Sequence, residues 1–205
     1  MGRKSGMKTD RGRTVLAQEA ARIIVEQGIQ DFRVAKLKAA ERLGMHSQGA
    51  LPTNAEIETA VSDHLRLFAA DDHSSTLHHL RRAALSAMRL LDEFSPRLVG
   101  PVLAGTAAAH SAANLHLFAD HAEAVSGCLD ANGIRFRVFE RRLKYRRDKA
   151  SNHCGFRFEH EDATIEATVF AVDGLRQAPI SPVDGRPMRR ADAQAVILLL
   201  ESPSS

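Results

Sequence analysis

Through the first half of the chain the apolar residues recur at helical spacing. Leu16, Ala20, Ile23 and Ile24 fall on one face of a helix that Thr14 caps and Gly28 ends. A second helix is expected from Phe32 to Leu43, stopped by Gly44, and Met45 to Pro52 read as a loop. Thr53 or Asn54 caps a third helix carrying Ile57, Val61, Leu65 and Phe68. Asp71 to Ser75 interrupts the pattern, and Ser75 or Thr76 starts a fourth helix with Leu77, Leu80, Ala84, Met88 and Leu91 on one side. Ser95-Pro96 closes it, because the residue before a proline avoids the helical region.

Past Pro96 the texture changes. Leu98-Val99 and Leu115 to Phe118 read as short buried strands, Asp120 to Asn132 as a helix ended by Gly133, and Ile134 to Phe139 as an alternating strand. Gly155 to Phe158 and Thr164 to Val172 are further strands, Asp173-Gly174 and Asp184-Gly185 are turn signals, and Ala191 to Glu201 is a last helix. The expected fold is α+β, with a helical N-terminal half followed by a small mixed β-sheet and flanking helices. The expected division is a disordered basic tail over 1–13, a helical region over 14–95 and an α+β domain over 96–205.

Composition leaves this picture standing and narrows the chemistry. At 205 residues, 44% hydrophobic and 26% charged, the chain is an ordinary globular one with a net charge of +3. Aromatics make up 5% and there is no Trp, which weakens any reading built on stacking of bases or sugars. Cys128 and Cys154 read as reduced thiols, Cys128 as core. The opening residues are basic without an apolar run, so they do not read as a signal peptide. The longest apolar run, Ala195 to Leu200, is far shorter than the ~18–20 residues that cross a membrane. A cytoplasmic protein without a membrane partner is the expectation.

The candidate chemistry sits in Val99-Gly100-Pro101-Val102-Leu103-Ala104-Gly105-Thr106-Ala107 and in Ser111-Ala112-Ala113-Asn114-Leu115-His116-Leu117-Phe118. A glycine turn, a second Gly-Thr-Ala and a polar-to-apolar strand follow one another. This segment resembles the signature of the polymerase beta-like nucleotidyltransferase superfamily: Gly-Ser, three residues, Gly-Thr-Ala, a short gap, then Ser-Asp-x-Asp. The resemblance is close over residues 97 to 120 and extends to about 172 by order of elements. It implies a sheet of nucleotidyltransferase type, a glycine turn that approaches a triphosphate, and carboxylates that hold Mg²⁺. Gly100, Gly105, Thr106, Ser111 and Asn114 are then what remains of the nucleotide-binding frame. The chemical residues are absent from it. Pro101 stands where the serine belongs and lacks a backbone N–H, Ala112 has no ligand atom, and Asn114 offers a neutral carbonyl to a hard dication. Glu166 is the counterpart of the third acid. The resemblance therefore implies a nucleotidyltransferase-like protein without nucleotidyl transfer, acting as a nucleotide- or RNA-binding or regulatory module, with no cofactor. The alternative is an active enzyme in which Asp120, Glu159 or Glu166 replaces the missing pair and Mg²⁺ is required.

Other constellations compete. Arg135, Arg137, Arg141, Arg142, Lys144, Arg146, Arg147 and Lys149 form a basic run with Phe136, Phe139 and Tyr145 among them. Such a run either follows a phosphate backbone, with Arg141, Arg142, Lys144, Arg146 and Arg147 as contacts, or decorates a solvated hairpin. Arg135, Arg137 and Phe139 share one strand face, opposite Phe136 and Val138. Among ten histidines, His116, His153 with Cys154, and His160 are candidates to meet in space, but none has a recognised ligand spacing and no metal is expected. No Gly-x-x-x-x-Gly-Lys-Ser/Thr loop of an ATP-dependent ligase occurs. The N-terminal helices either bury their stripes internally or offer them to a protein partner or a second copy.

Overall fold

A computed structural model describes residues 3–29, 31–45, 51–68, 70–146 and 149–201. The order of elements is α1 (Arg3–Gln27), α2 (Phe32–Arg42), α3 (Asn54–Phe68), α4 (Ala70–Leu90), β1 (Arg97–Val99), α5 (Gly100–Ala104), β2 (Ala113–Phe118), α6 (Ala122–Ala131), β3 (Phe136–Arg146), β4 (Lys149–His160), β5 (Ala163–Phe170) and α7 (Ala193–Glu201). The fold is α+β with a helical N-terminal half. Two compact units divide it: Met1–His73 with Ala108–His110 and Pro182–Asp184, and Ser74–Ala107 with Ser111–Ser181 and Gly185–Ser205. The boundary expected at Ser95 thus moves to Ser74. Its cause is packing, since Leu80, Ala83, Ala84, Ala87 and Met88 of α4 belong to the core beneath the sheet.

In the first unit Leu16, Ala17, Ala20, Ala21 and Ile23 of α1 meet Ala35 and Ala39 of α2 and Ile57, Val61 and Leu65 of α3. Alanines at the contacts let the helix axes approach closely. Local chemistry fixes each end. Gly28 takes φ 65° after α1, a left-handed conformation that glycine adopts without penalty. Asp31 caps α2 through Oδ1, which accepts from the N–H groups of Arg33 (2.7 Å) and Val34 (3.3 Å). At its other end the Met45 N–H reaches the Ala40 carbonyl (2.9 Å) and the Gly44 N–H that of Glu41 (3.1 Å), a Schellman closure. Of the expected loop after it, residues 46–50 lie outside the described ones.

Two expectations fail in the helices. The tail expected over 1–13 is helical from Arg3 onward. Arg, Lys and Met carry little helical penalty, and Gly6 and Gly12 cost only about 1 kcal/mol each relative to alanine. The break expected over Asp71 to Ser75 is helical too, because α4 starts at Ala70. Asp72 then falls in its first turn, where the helix dipole favours acidic residues.

The second unit is built on a five-stranded mixed sheet ordered β1-β2-β5-β4-β3. Only β2 and β5 run parallel; the other neighbours are antiparallel. Strand alternation gives the sheet two faces. Leu115 and Leu117 of β2, Ile165, Ala167 and Val169 of β5, and Phe156 and Phe158 of β4 share one core with α4, α6 and Val196 of α7. The second face carries Asn114, His116 and Phe118, Glu166, Thr168 and Phe170, and the odd-numbered residues of β3 and β4. β3 and β4 are longer than their apolar alternation predicts: the ladder continues from Phe136↔Phe158 to Arg146↔Lys149. The basic run is thus part of a hairpin whose backbone pairing does not depend on apolar side chains.

The cap of α3 shows how much one local device contributes. The Thr53 Oγ1 accepts from the Glu56 N–H (3.2 Å), and Glu56 Oε2 accepts from the Thr53 N–H (2.7 Å) and hydroxyl (2.9 Å). This reciprocal pair is a capping box. Thr53→Ala is expected to lower stability by about 1 kcal/mol, read as a shift in the urea midpoint at unchanged slope.

Candidate functional site

Cross-strand register lines up the chemistry of the second face. Arg137 lies opposite Arg157, Arg157 opposite Glu166, Glu166 opposite Asn114, and Asn114 opposite Val99. In the next row Phe139 faces Gly155, Gly155 faces Thr168, Thr168 faces His116, and His116 faces Arg97. One rung further are Arg141 opposite His153 and Phe170 opposite Phe118.

Arg141 does not stay in its own row. Its Nη1 donates to Asn114 Oδ1 at 2.9 Å and its Nη2 to Glu166 Oε2, so one guanidinium bridges β2 and β5. Arg157 Nη1 approaches the other oxygen, Glu166 Oε1, at 3.4 Å. Gly155 makes the crossing possible. A Cβ there would lie 2.3 Å from Phe139 Cζ, so the ring occupies the space a side chain would take. Arg141 passes over that ring with its guanidinium carbon 5.0 Å from the centroid.

The glycine segment before β2 divides into a part that reaches this site and a part that does not. Gly100 takes φ 73°, and a Cβ on it would lie 3.5 Å from Asn114 Nδ2. Ala112, buried before β2, holds the same amide nitrogen through its carbonyl (3.2 Å). Gly105 and Thr106 serve the backbone instead. Gly105 is the left-handed C-cap of α5, and both its N–H (2.8 Å) and that of Thr106 (3.0 Å) donate to the Pro101 carbonyl. Pro101 occupies the first turn of α5, where a missing N–H costs nothing. Ser111 lies just before β2.

The basic run splits. Arg141 joins the site, whereas Arg142 and Lys144 alternate to the other side of β3 and are exposed. Arg147 lies outside the described residues, as does the side chain of Arg146. Of the substitute acids, Asp120 is exposed beyond the far end of β2, and Glu159 is exposed and accepts from Thr164 Oγ1 (2.8 Å).

Beside this row lies a cluster of rings. His116 (4.4 Å between centroids), His153 (4.5 Å) and Phe118 (5.8 Å) surround Phe170. The bridge Leu98↔Ala191 sets Ala191 on the core side and sends the neighbouring Arg190 to the second face. There its guanidinium lies over Phe118 (5.0 Å) and Phe170 (5.2 Å), and its Nε donates to His116 Nδ1 (3.1 Å). Tyr145 (2.9 Å) and Ser151 (2.8 Å) hydroxyls meet His153 Nε2, while His153 Nδ1 donates to the Val169 carbonyl (3.2 Å). Burial, then the charges of Arg190, Arg141 and His153, push His116 down to about 3. Burial also lowers His153. Both rings are neutral at pH 7. Cys154 alternates to the core face and His160 bonds Ser86 Oγ (2.9 Å). Among the described residues no three His, Cys, Asp or Glu side chains gather to hold a metal, and no helix is long and apolar enough to cross a membrane.

The Mg²⁺ site that the resemblance implies does not fit these residues. It has one neutral amide oxygen from Asn114, nothing from Ala112, and a carboxylate on Glu166 whose oxygens both face guanidinium groups. No protein-family model, no curated protein and no solved structure matches the chain. Sequence reasoning missed Arg157 and Arg190. Period-two alternation of Arg137, Phe139 and Arg141 was the available signal for β3, but nothing in the sequence announces which residues of β4 or of the 187–191 segment face them.

Two outcomes are expected. The pair Ala112→Asp and Asn114→Asp gains no Mg²⁺ binding while Arg141 is present, because its guanidinium stays between position 114 and Glu166; adding Arg141→Ala makes binding measurable by calorimetry. For His116 the unfolded chain binds more protons than the folded one between pH ~6.5 and about 3. Stability is therefore full above that window and falls as pH drops through it, by on the order of 5 kcal/mol at the lower end at 1.36 kcal/mol per unit. Urea midpoints measured from pH 7.5 to 4 should decline, and His116→Gln should remove most of the slope.

Proposed function

We propose that this chain is a nucleotidyltransferase-like protein without nucleotidyl-transfer activity, which binds nucleotide or RNA as a cytoplasmic binding or regulatory module. The observation that carries the reading is Arg141 between Asn114 and Glu166. A fixed cation stands where the resemblance puts a metal ion. A guanidinium supplies positive charge and directed N–H donors, but it does not lower the pKa of a bound hydroxyl as a dication does. Catalysis of in-line displacement needs that activation, and its loss removes several kcal/mol from transition-state stabilisation. Binding of a phosphate-bearing ligand does not need it. The exposure of Asp120 and the engagement of Glu159 with Thr164 argue against replacement carboxylates.

The test is calorimetric titration with ATP and with a short single-stranded RNA, each in Mg²⁺ and in EDTA. Binding of at least one ligand with an affinity that EDTA leaves within about twofold is expected, with no turnover of labelled nucleotide. Binding that requires Mg²⁺ overturns the reading.

A further inference from the structure

The second face of the sheet holds a feature that costs stability as it stands. Arg137 and Arg157 are direct partners across an antiparallel ladder, where Cβ atoms are about 5 Å apart and like charges repel. Arg141 adds a third guanidinium, since both it and Arg157 converge on Glu166. Glu166 is the carboxylate on which Arg141 and Arg157 meet; Glu159, the next residue on that side of β4, is exposed and engaged by Thr164. Glu166 is 8% exposed, whereas Arg137 is exposed and the Arg157 side chain retains 55% of its surface. The positive excess therefore faces solvent at the mouth of the site, with the carboxylate at its floor.

Resting on the reading above, we propose that Arg137, Arg141 and Arg157 form a metal-free site for the terminal phosphoryl group of a small polyphosphate, with Glu166 as an internal anion that holds the guanidinium groups in place and competes with the ligand. Planar guanidinium forks match phosphoryl oxygens as they match carboxylate oxygens, and the site already presents them to a carboxylate. The shape of the charge favours a small ligand over RNA. A nucleic-acid backbone needs cations spread along a track, but here Arg141 and Arg157 converge on one carboxylate, with Arg137 as the ladder partner of Arg157. Arg142 and Lys144, which would continue a track, alternate to the other side of β3.

The full chain is titrated in EDTA with inorganic pyrophosphate, with ATP and with adenosine. Pyrophosphate and ATP bind with similar affinity and adenosine does not bind. Arg157→Ala and Arg137→Ala each weaken pyrophosphate by about tenfold, which is 1.4 kcal/mol per tenfold change. Glu166→Gln tightens it, the opposite of what loss of a metal ligand does. Arg157 is largely solvated, so its alanine variant keeps the fold even where the Glu166 variant loses stability. Unchanged pyrophosphate affinity in both arginine variants overturns the site while leaving metal-independent ATP binding, and the broader reading, intact. A Mg²⁺ requirement for ATP binding removes the broader reading instead. Tighter binding of RNA than of ATP, lost in Arg142→Ala or Lys144→Ala, overturns the commitment to a small ligand.

Discussion

Glu166 sits nearly buried on the central strand β5, with guanidinium groups facing both of its oxygens. At that depth the carboxylate is not tolerated alone, because an unpaired buried charge costs several kcal/mol. The polar row of the sheet is therefore a unit. Asn114 fixes one end of the Arg141 guanidinium, and its own amide nitrogen is held by the Ala112 carbonyl. The backbone entering β2 is in this way tied to β5 by side chains as well as by the parallel ladder.

Two packing problems are solved together on β5. Its alternate residues Ile165, Ala167 and Val169 belong to the core with α4 and α6, and Glu166, Thr168 and Phe170 are buried on the other side. A strand buried on both faces would ordinarily be apolar throughout. Here the second side is closed by Arg190, whose hydrophobic stem and planar head cover Phe118 and Phe170 while its Nε serves a neutral His116. Toward β3 the cover ends, and the sheet passes from buried rings at Phe170 to solvated arginines at Arg137 and Arg157.

The sequence made some of this legible and hid the rest for identifiable reasons. Helix ends at Gly28, Gly44 and Thr53 were readable because capping is local chemistry. The strands expected over Leu115 to Phe118 and Thr164 to Val172 were readable because their burial leaves an apolar or β-branched run, although β5 ends at Phe170. The continuation of β3 through Arg141 to Arg146 was not, since a two-stranded extension in solvent imposes no apolar period. The pairing of Asn114 with Glu166 was anticipated only as the counterpart of an acid. The arrival of Arg141 between them depends on Gly155 lying under Phe139, a coincidence of register that one strand does not encode alone. The division at Ser74 was hidden because α4 runs continuously across it.

The glycines of the opening signature have folding duties that need no ligand. Gly105 adopts φ 87° to end α5, and the N–H groups of Gly105 and Thr106 are spent on Pro101. Gly100 needs φ 73° to turn from β1 into that helix while lying against the Asn114 side chain. An L side chain at either position is strained whatever binds nearby. The spacing Gly-x-x-x-x-Gly is thus accounted for by a five-residue helix with left-handed residues at its first position and just past its end. The positions that would speak for catalysis are the others, Pro101, Ala112 and Asn114. There the backbone accepts proline, alanine and asparagine without strain, and the one cation between the strands is covalently part of β3. The frame specifies a shape, and the side chains within it specify a tethered positive charge.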